Sequence, residues 1–509
     1  MFLNTVLCPR CNFNVEALVD DGVCSWCHYR TPAGTRAFRK RHNNPFAALP
    51  VPLRLNADPR FTGDGITIAF IDSGFSLHPE LMKPRKRILA ITDATDDRVS
   101  RRYFHHPHPE SWHGTMSSVL SAGNGLLSRG FYRAIAPDAD VVLVKTMGVK
   151  KHGVSGESIA WGVRWAIDNK QRYNIRIINL AVGADEPEPL SNSSVDQAVE
   201  DAVREGMVVV SASGNTPCGS VLPPASAPSA ITVGGYNDGN QLSTKRFSWY
   251  PSTYGLTLNG DVKPDILAPA FGIPGPILPR TDQFRESELL FQILSATKAA
   301  GVHLLDQHQN IFPDLPKLTT ASGLRAWARK RIITMKYVGP YLKSMEGSSV
   351  AAAIVSSVVA QMLEAQPGLQ PGSVRSMLRE AAVPFENVPA DRQGAGILNA
   401  RGAVELALLS RHPAAAPGVH RSEDFIAFMY RNPSAQSVFF AGDVNGWNPR
   451  QAPFQRLAAG GLWSYILPKP PVGQHRYKFV VDGTRWMADP SNDLKEPDGY
   501  GDWNSILVV

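Results

Sequence analysis

The chain has 509 residues, which is room for about three domains of ~150 residues each. Apolar residues make up 43% of it and charged residues 19%, as in globular proteins that bury a large core. The net charge of +7 is spread out, and the one dense basic run, residues 36–41, is better explained as a solvated linker than as a nucleic-acid site. We therefore expect no nucleic-acid partner, and because no run of 18 apolar residues occurs, we expect no membrane span.

The N-terminal sequence and the cysteines bear on the cellular compartment. Residues 1–8 lack the basic start and the long apolar stretch of a secretory signal. Four of the five cysteines lie within the first 27 residues, which is not the pattern of a secreted protein cross-linked by disulfides. We therefore expect a cytoplasmic protein.

Residues 1–30 contain two Cys-x-x-Cys pairs separated by 12 residues, Cys8 with Cys11 and Cys24 with Cys27. Each pair can present two thiolates on one side of a tight turn, and two pairs complete a tetrahedral zinc site. The segment resembles a zinc ribbon, which implies a structural Zn²⁺; disulfides or redox chemistry are the alternative. The Pro- and Arg-rich residues 31–60 that follow are interpreted as a linker.

Residues 61–408 alternate apolar runs with helical patterns. Strands are predicted at 65–72, 139–145, 176–180, 206–211 and 230–233, and helices at 156–171 and 191–205. Continuous apolar strands separated by helices favour a doubly wound α/β fold, with a parallel sheet covered on both faces. Sites in such sheets collect at the carboxyl ends of strands, where Asp72 and Asn215 stand in this sequence.

The remaining chain divides into three further segments. Residues 271–340 are Pro-rich and then helix-like from about 281 to 305, and are interpreted as an insertion in a loop. Residues 409–424 form a second linker. Residues 425–509 alternate apolar and polar residues in short runs broken by Gly, Pro and Asn, which predicts an all-β, immunoglobulin-like sandwich.

Four local segments carry residues suited to nucleophilic catalysis. Asp72 ends a predicted strand, His113 opens a helix-like segment, Asn215 follows another strand, and Ser349 opens an apolar helix that runs to about residue 364. A serine hydroxyl is a poor nucleophile until an imidazole takes its proton, and that imidazole needs a buried carboxylate to orient it. An asparagine amide and the backbone N–H of a serine at a helix start can stabilise the resulting oxyanion.

These segments, Asp72-Ser-Gly, His113-Gly-Thr, Ser-Gly-Asn215 and Gly-Ser-Ser349-Val-Ala, resemble the subtilisin-like protease family (subtilases) in type and order. The resemblance covers residues 61–408 and implies a serine endopeptidase that cleaves protein or peptide substrates through an acyl-enzyme. It assigns Asp72, His113 and Ser349 as the catalytic triad and Asn215 to the oxyanion hole. The alternative is a catalytically silenced fold, with the insertion over its cleft, that acts as a glucan- or protein-binding scaffold.

The resemblance also implies a substrate cleft, and the sequence departs from the family at a few positions. Two strand-like segments are expected to line the cleft, and their residues are Ala181, Gly183, Ala212, Ser213 and Gly214. Ser348 replaces the usual Thr, Ala353 the usual Pro, and Met116 a common second His; none of these changes removes a catalytic group. The first 60 residues leave no room for the usual inhibitory prodomain, so a different maturation route is expected.

A second metal is considered for the stretch that contains Asp93, Asp96 and Asp97. Some members of the family bind Ca²⁺ in acidic loops of this kind. An acidic loop that binds no metal is the alternative, and the sequence leaves both open.

Residues 425–509 contain Phe439-Phe-Ala-Gly-Asp-Val-Asn-Gly-Trp-Asn448 and Tyr477-Lys-Phe-Val-Val-Asp-Gly483. These motifs resemble the glycogen-binding module of the AMP-activated kinase β subunit and of branching enzymes. The resemblance implies α-glucan binding through residues that stack on sugar rings or bond their hydroxyls. Those residues are Trp447, Lys478, Trp486 and Asn504. An extra residue, Arg485, precedes Trp486, and a module that only packs against its own catalytic domain is the alternative.

Overall fold

The computed structural model describes most of the chain from residue 48 onward. The described residues are 48–96, 98–148, 153–184, 186–217, 219–241, 247–297, 301, 303–304, 321–386, 388–410, 417–421, 425–456 and 461–509. The helices and the 3₁₀ turns are Val51–Arg54, Pro79–Met82, Tyr103–His105, Ser111–Ala122, Leu126–Ser128, Gly156–Asp168, Lys170–Tyr173, Ser194–Arg204, Asp282–Ser295, Ala321–Thr334, Ser348–Ala365, Pro371–Ala381, Ala390–Gln393, Ala400–Leu409, Asp443–Asn445 and Pro449–Gln451.

An eight-stranded sheet forms the centre of the larger domain. Its strands and those of the adjoining segments are β1 Thr67–Asp72, β2 Ile88–Asp93, β3 Asp140–Lys145, β4 Ile175–Leu180, β5 Val208–Ala212, β6 Ile231–Asn237, β7 Ser248–Trp249, β8 Gly255–Leu256, β9 Val262–Lys263, β10 Ile266–Pro269, β11 Phe271–Pro276, β12 Tyr337–Gly339 and β13 Leu342–Glu346. The sheet order is β10-β6-β5-β4-β1-β3-β2, all parallel, with β7 antiparallel to β6.

Helices cover both faces of this sheet, which confirms the predicted doubly wound parallel architecture. On one face, Ser111–Ala122, Ser348–Ala365 and Ala400–Leu409 share an apolar core with the strands. On the other face, Gly156–Asp168 and Ser194–Arg204 pack against alternate side chains of the same strands. All five predicted strands and both predicted helices overlap observed elements, although the helices end earlier than predicted.

We call Ser111–Ala122 the histidine helix and Ser348–Ala365 the serine helix. The serine helix is the one described helix whose length and composition would allow it to cross a membrane, with a mean hydropathy of 1.4. All but one of its eighteen residues are buried within the protein, against the sheet and neighbouring helices. The apolar character of this helix therefore matches its position in the core.

The segment predicted as an insertion forms a small layer of its own. Strands β11, β13 and β12 make an antiparallel sheet, and the two helices Asp282–Ser295 and Ala321–Thr334 pack against each other beside it. The predicted helix at about 281–305 is confirmed over Asp282–Ser295, whereas the strands were not predicted. Strand β13 leads directly into the serine helix, so the insertion adjoins the position of Ser349.

The C-terminal residues form the predicted β-sandwich. Its strands are β14 Gly418–Arg421, β15 Phe425–Arg431, β16 Val438–Gly442, β17 Gln455–Arg456, β18 Leu462–Pro468, β19 Gln474–Val481, β20 Arg485–Met487, β21 Lys495–Pro497 and β22 Trp503–Val508. One sheet has the order β14-β15-β18-β17, and the other has β16-β19-β22-β21 with β20 also paired to β19. An aromatic-rich core fills the space between them.

The sandwich packs directly on the larger domain. Alternate residues of β15, namely Phe425, Ala427 and Met429, join the same apolar core as the helix Ala400–Leu409. The intervening residues of β15 face the core of the sandwich itself. The first sheet of the sandwich is therefore buried on both faces, and it fixes this module against the larger domain.

Candidate active site

Asp72 and His113 meet at the carboxyl edge of the parallel sheet. Asp72 is the last residue of β1, at the centre of the sheet, and its side chain is 1% exposed. His113 lies in the first turn of the histidine helix, and its Nδ1 is 2.7 Å from Oδ1 of Asp72. The carboxylate accepts the Nδ1 proton, so Nε2 is left as the basic nitrogen.

Ser349 completes the arrangement from a distant part of the chain. It lies in the first turn of the serine helix, and its Oγ is 3.1 Å from Nε2 of His113. The same Oγ is 3.3 Å from the carbonyl oxygen of Ala181, which follows β4. Carboxylate, imidazole and hydroxyl thus form a continuous chain of hydrogen bonds across three elements.

The pKa of His113 reflects its partner. Burial lowers the pKa of the imidazole, but the charge and the hydrogen bond of Asp72 outweigh burial and raise it above the ordinary 6.5. The side chain of His113 is still 30% exposed, so the imidazole has one side open to solvent. A base of this kind can accept a proton from a neighbouring hydroxyl and return it to a leaving group.

Asn215 lies beside the start of the serine helix. Its Oδ1 accepts a hydrogen bond from the backbone N–H of Ser348 at 2.8 Å. The side chain of Asn215 is next to Gly347, whose φ of +136° an L-residue rarely adopts, and a Cβ at Gly347 would lie 3.7 Å from Nδ2 of Asn215. The first backbone N–H groups of a helix have no acceptor within it. The Nδ2 of Asn215 and the backbone N–H of Ser349 are therefore candidate donors to one anion.

The residues predicted to line a cleft lie on two neighbouring segments. Ala181 and Gly183 continue from β4, while Ala212, Ser213 and Gly214 end or follow β5, which pairs with β4 in parallel register. Both segments leave the carboxyl edge of the sheet next to Ser349, as expected for a site in this kind of fold. Their role in substrate binding stays a prediction.

The departures from the family pattern are accommodated. Ser348 retains a functional hydroxyl, because its Oγ accepts a hydrogen bond from the backbone N–H of Gly214 at 3.2 Å. Met116 and Ala353 are both buried in the main apolar core, where they fill space. None of these three positions disturbs the contacts between His113 and its partners.

Sequence reasoning missed one residue of this site, Ser117. Its Oγ is 3.2 Å from Oδ2 of Asp72, on the side of the carboxylate away from His113. The signal was present, since residues four apart in a helix lie on the same face and Ser117 follows His113 by four. A serine on an otherwise buried face of a helix is easily assigned to the core.

The acidic stretch considered for calcium has other partners. The Asp93 carboxylate forms a buried ion pair with Lys145 at 2.8 Å and also bonds Thr95. Asp96 pairs with Arg98 on the surface. Asp97 lies outside the described residues, and the described part of the chain contains no group of three or more His, Cys, Asp or Glu side chains that could hold a metal ion.

Three of the four residues predicted to bind carbohydrate share one face of the sandwich. Tyr477, Phe479 and Val481 of β19 face the core, so Lys478 and Val480 point to the outer face. Trp486 pairs directly with Val480, and it is 41% exposed despite the preceding Arg485. Asn504 lies on the same face of β22, since its neighbour Ser505 pairs with Tyr477. This face is turned away from the larger domain.

Trp447 and Lys478 each have intramolecular partners. Trp447 lies beyond the end of β16, and its Nε1–H donates to Asp443 at 3.0 Å. The ammonium of Lys478 pairs with Asp498 at 2.6 Å and with Asp502 at 3.1 Å. Lys478 therefore holds the turn between β21 and β22, whereas Trp486 offers an open aromatic surface.

The remaining predicted site residues, Cys8, Cys11, Cys24 and Cys27, lie outside the described part of the chain. The zinc ribbon therefore stays a prediction from the sequence.

Comparison with known proteins assigns both domains to families. Residues 63–403 match the subtilase family, and because this is more than half of the chain, the protein belongs to that family. Residues 417–497 match carbohydrate-binding module 48, the type found as the isoamylase N-terminal domain. The C-terminal sandwich is therefore a carbohydrate-binding module by family.

Individual relatives are similar at modest identity. The chain is 27% identical over 357 residues to the serine protease AprX of Bacillus subtilis (strain 168), which covers 67% of each protein. It is 30% identical over 214 residues to subtilisin Savinase of Lederbergia lenta, covering 42% of this chain and 66% of that protein. An alkaline protease of Alkalihalobacillus alcalophilus is also 30% identical, with coverage of 42% and 47%. The chain thus spans from just under half to two thirds of the length of these relatives. The structure of the prenylagaramide maturation protease PagA aligns at 19% identity with a TM-score of 0.43, over 70% of this chain and 95% of that one.

Proposed function

We propose that this protein is a serine endopeptidase that uses Asp72, His113 and Ser349 as its catalytic triad. The observation that carries the proposal is the continuous chain of hydrogen bonds, 2.7 Å from carboxylate to imidazole and 3.1 Å from imidazole to hydroxyl. Membership of the subtilase family supports the same reaction class.

In the proposed reaction, Nε2 of His113 takes the proton of Ser349 as Oγ attacks the carbonyl carbon of the scissile bond. The negative charge that develops on the carbonyl oxygen is stabilised by Nδ2 of Asn215 and the backbone N–H of Ser349. The imidazolium, held by Asp72, then gives its proton to the departing amine. Water, activated by the same imidazole, hydrolyses the acyl-enzyme and restores the hydroxyl.

The accessibility of the site favours an active enzyme over a silenced scaffold. The helices of the insertion bury their apolar residues against each other and against Tyr337. Strand β13, which pairs with β11 of the insertion, places Lys343 5.2 Å from the ring centroid of Trp112 in the histidine helix. His113, the next residue, keeps 30% of its side chain exposed. The described part of the insertion therefore borders the site, and the imidazole keeps a side open to solvent.

Hydrolysis of an unfolded protein tests this proposal. The parent protein and Ser349→Ala are incubated with denatured casein, and new amino termini are counted over time. Ser357→Ala is a matched control, because this buried serine lies on the same helix and bonds Ser121 and not the triad. We expect cleavage by the parent and the control and none by Ser349→Ala. Equal cleavage by parent and Ser349→Ala, or none by any of them, would contradict the proposal.

We also propose that the sandwich binds an α-glucan such as glycogen and so tethers the peptidase to it. Membership of a carbohydrate-binding family and the exposed indole of Trp486 on the outer face support this. Packing against the larger domain uses the other sheet, so it leaves the indole of Trp486 exposed, although Lys478 and Asn504 on the same face are buried. Packing and sugar binding are therefore compatible in one molecule.

A third proposal, which depends on the sequence alone, is that Cys8, Cys11, Cys24 and Cys27 hold one structural Zn²⁺ in a cytoplasmic protein. Four thiolates leave no open position for catalysis, so the metal would stabilise the N-terminal segment. Elemental analysis tests this directly. We expect about one zinc per purified chain and loss of zinc in Cys24→Ser, with peptidase activity retained; a zinc-free parent would contradict it.

A further inference from the structure

Ser117 contacts the carboxylate of Asp72 at Oδ2, the oxygen that does not face His113. It lies on the histidine helix, is wholly buried, and its Oγ is 3.2 Å from Oδ2 of Asp72. We propose that Ser117 is a positioning residue, which holds the Asp72 carboxylate in the plane that His113 requires and moderates its charge. The inference rests on the proposed function, because it assigns a role within the same triad.

The hydrogen-bond partners of Asp72 show why a donor is needed at this position. Oδ1 accepts two protons, from Nδ1 of His113 and from the backbone N–H of Ser73, each at 2.7 Å. Within the described part of the chain, Ser117 is the one side chain or backbone group recorded as a donor to Oδ2. Asp72 is almost wholly buried, and a buried carboxylate oxygen without a donor is strongly unfavourable.

The hydroxyl of Ser117 has a second acceptor within reach, the backbone carbonyl of His113 at 3.2 Å. One proton cannot serve both oxygens fully. A carboxylate is the stronger acceptor, because hydrogen bonds to an ionised group are about twice as strong as neutral ones. The carbonyl of His113 also lies in the regular ladder of the helix, so the proton of Ser117 is better used by Asp72.

Loss of this hydrogen bond has a defined electrostatic consequence. A donor to Oδ2 draws negative charge away from Oδ1, the oxygen that faces His113. Without the donor, Oδ1 carries more charge and stabilises the imidazolium more strongly, so the pKa of His113 rises. The carboxylate is also free to rotate out of the plane of the imidazole, which slows proton transfer.

Titration of His113 by NMR tests the electrostatic consequence without the need for activity. Protein carrying labelled histidine is titrated in a Ser349→Ala background, and the His113 signal among the 13 histidines is assigned by its absence in His113→Gln. We expect Ser117→Ala to raise the pKa of His113. Ser118→Ala is the matched control, since this neighbouring buried serine bonds the carbonyl of Thr115 and does not touch the triad.

Kinetics on proteins with Ser349 intact provide the second readout. We expect Ser117→Ala to lower kcat/KM about tenfold and to move its acid limb to higher pH, with no such movement in Ser118→Ala. Ser117→Cys keeps a weaker donor and is expected to lie between the two. An unchanged His113 pKa in Ser117→Ala would overturn the positioning role. An inactive parent would instead count against the proposed function, so the two failures are told apart.

Discussion

The side-chain oxygen of Asn215 accepts a hydrogen bond from the backbone N–H of Ser348, one residue before the proposed nucleophile. This bond fixes the orientation of the amide, because an oxygen that accepts from Ser348 leaves the NH₂ group on the other side. Asn215 is exposed, so its NH₂ group is accessible to a substrate oxygen. The helix start thus positions both proposed oxyanion donors.

Replacement of Asn215 by alanine is expected to slow the chemical step selectively. The donor acts on charge that develops in the transition state, so kcat should fall about 10²–10³-fold, the loss already known for such a donor in a subtilisin, while KM changes little. Steady-state kinetics on a peptide substrate measure this. A raised KM with unchanged kcat would show that Asn215 serves ground-state binding instead.

The pH dependence of activity should report the pKa of His113. Only the neutral imidazole can accept the proton of Ser349, so activity is lost as pH falls through that pKa. Burial lowers the pKa of His113, but the opposite effect of Asp72 is larger, so the net pKa is raised. As pH increases, kcat/KM should therefore rise through an apparent pKa above 6.5 and then level off. An acid limb well below pH 6 would contradict the pairing.

Replacement of Asp72 by asparagine removes the carboxylate that supports this base. We expect kcat to fall about 10⁴-fold, the loss known for the equivalent change in another serine protease, because the amide favours the wrong tautomer of His113. Circular dichroism should show an intact fold. Asp201→Asn is a suitable control, since Asp201 pairs with Arg204 at the surface. Near-parent activity in Asp72→Asn would rule out its proposed role.

A buried ion cluster stabilises the sheet away from the site. The Asp265 carboxylate accepts hydrogen bonds from Lys263 at 3.0 Å and from Arg375 at 2.6 Å. Both Asp265 and Lys263 are buried. Asp265→Ala leaves the buried Lys263 without its carboxylate partner, so the free energy of unfolding measured by urea denaturation should drop by about 3–5 kcal/mol. The exposed pair of Asp201 with Arg204 provides the control, and Asp201→Ala should cost less than about 1 kcal/mol.

The same cluster predicts sensitivity to acid. Burial raises the pKa of Asp265, but Lys263 and Arg375 outweigh burial and lower it below the ordinary 3.8. A carboxyl whose folded pKa is lowered contributes stability above its unfolded pKa and loses it as pH falls toward the folded value. The stability difference between parent and Asp265→Ala should therefore shrink as pH falls below about 4. A difference that stays constant there would contradict this origin.

Glucan binding should depend on Trp486. Its indole is exposed on the outer face of the sandwich, so Trp486→Ala should abolish retardation of the protein in native gels that contain glycogen. Trp161→Ala is a closely matched control, since Trp161 is 40% exposed on a helix of the larger domain. Retardation unaffected by Trp486→Ala would contradict binding through this indole, and a parent that is not retarded would favour a module that serves only to pack.

The central strands of the sheet were predictable because a strand buried on both faces is a continuous apolar run. The two edge strands of the parallel path, β2 and β10, were not predicted. Strand β2 has a short apolar run but is mostly exposed or half-buried, and β10 has only four residues. Strand β11, Phe271–Pro276, is rich in Gly and Pro, so its pairing with β13 depends on contacts distant in sequence.

The sequence also held a signal for the packing of the sandwich on the larger domain. Residues Phe425–Tyr430 are apolar without interruption, and all six are buried. A strand with one solvated face alternates, so this run indicated a second covered face. The pattern of the strand does not indicate which part of the protein covers this face. The covering helix, Ala400–Leu409, is brought there by tertiary contacts.

For the site, the order of the motifs predicted which residues meet, since strand ends and helix starts converge at one edge of a parallel sheet. Partners contributed by other segments were not predictable. The pairing of Lys478 with Asp498 and Asp502 depends on how a turn folds back on the sheet. Ser117 was identifiable by spacing alone, but its contact with Asp72 needs the helix and strand in place.

Mass spectrometry of the protein after reaction with a fluorophosphonate most directly tests whether Ser349 is an activated nucleophile. We predict one adduct, on Oγ of Ser349, that is lost in His113→Ala although that variant keeps the hydroxyl. The adjacent Ser348 provides an internal comparison within the same peptide. A folded protein that stays unlabelled, an adduct on Ser348, or equal labelling of parent and His113→Ala would contradict the account.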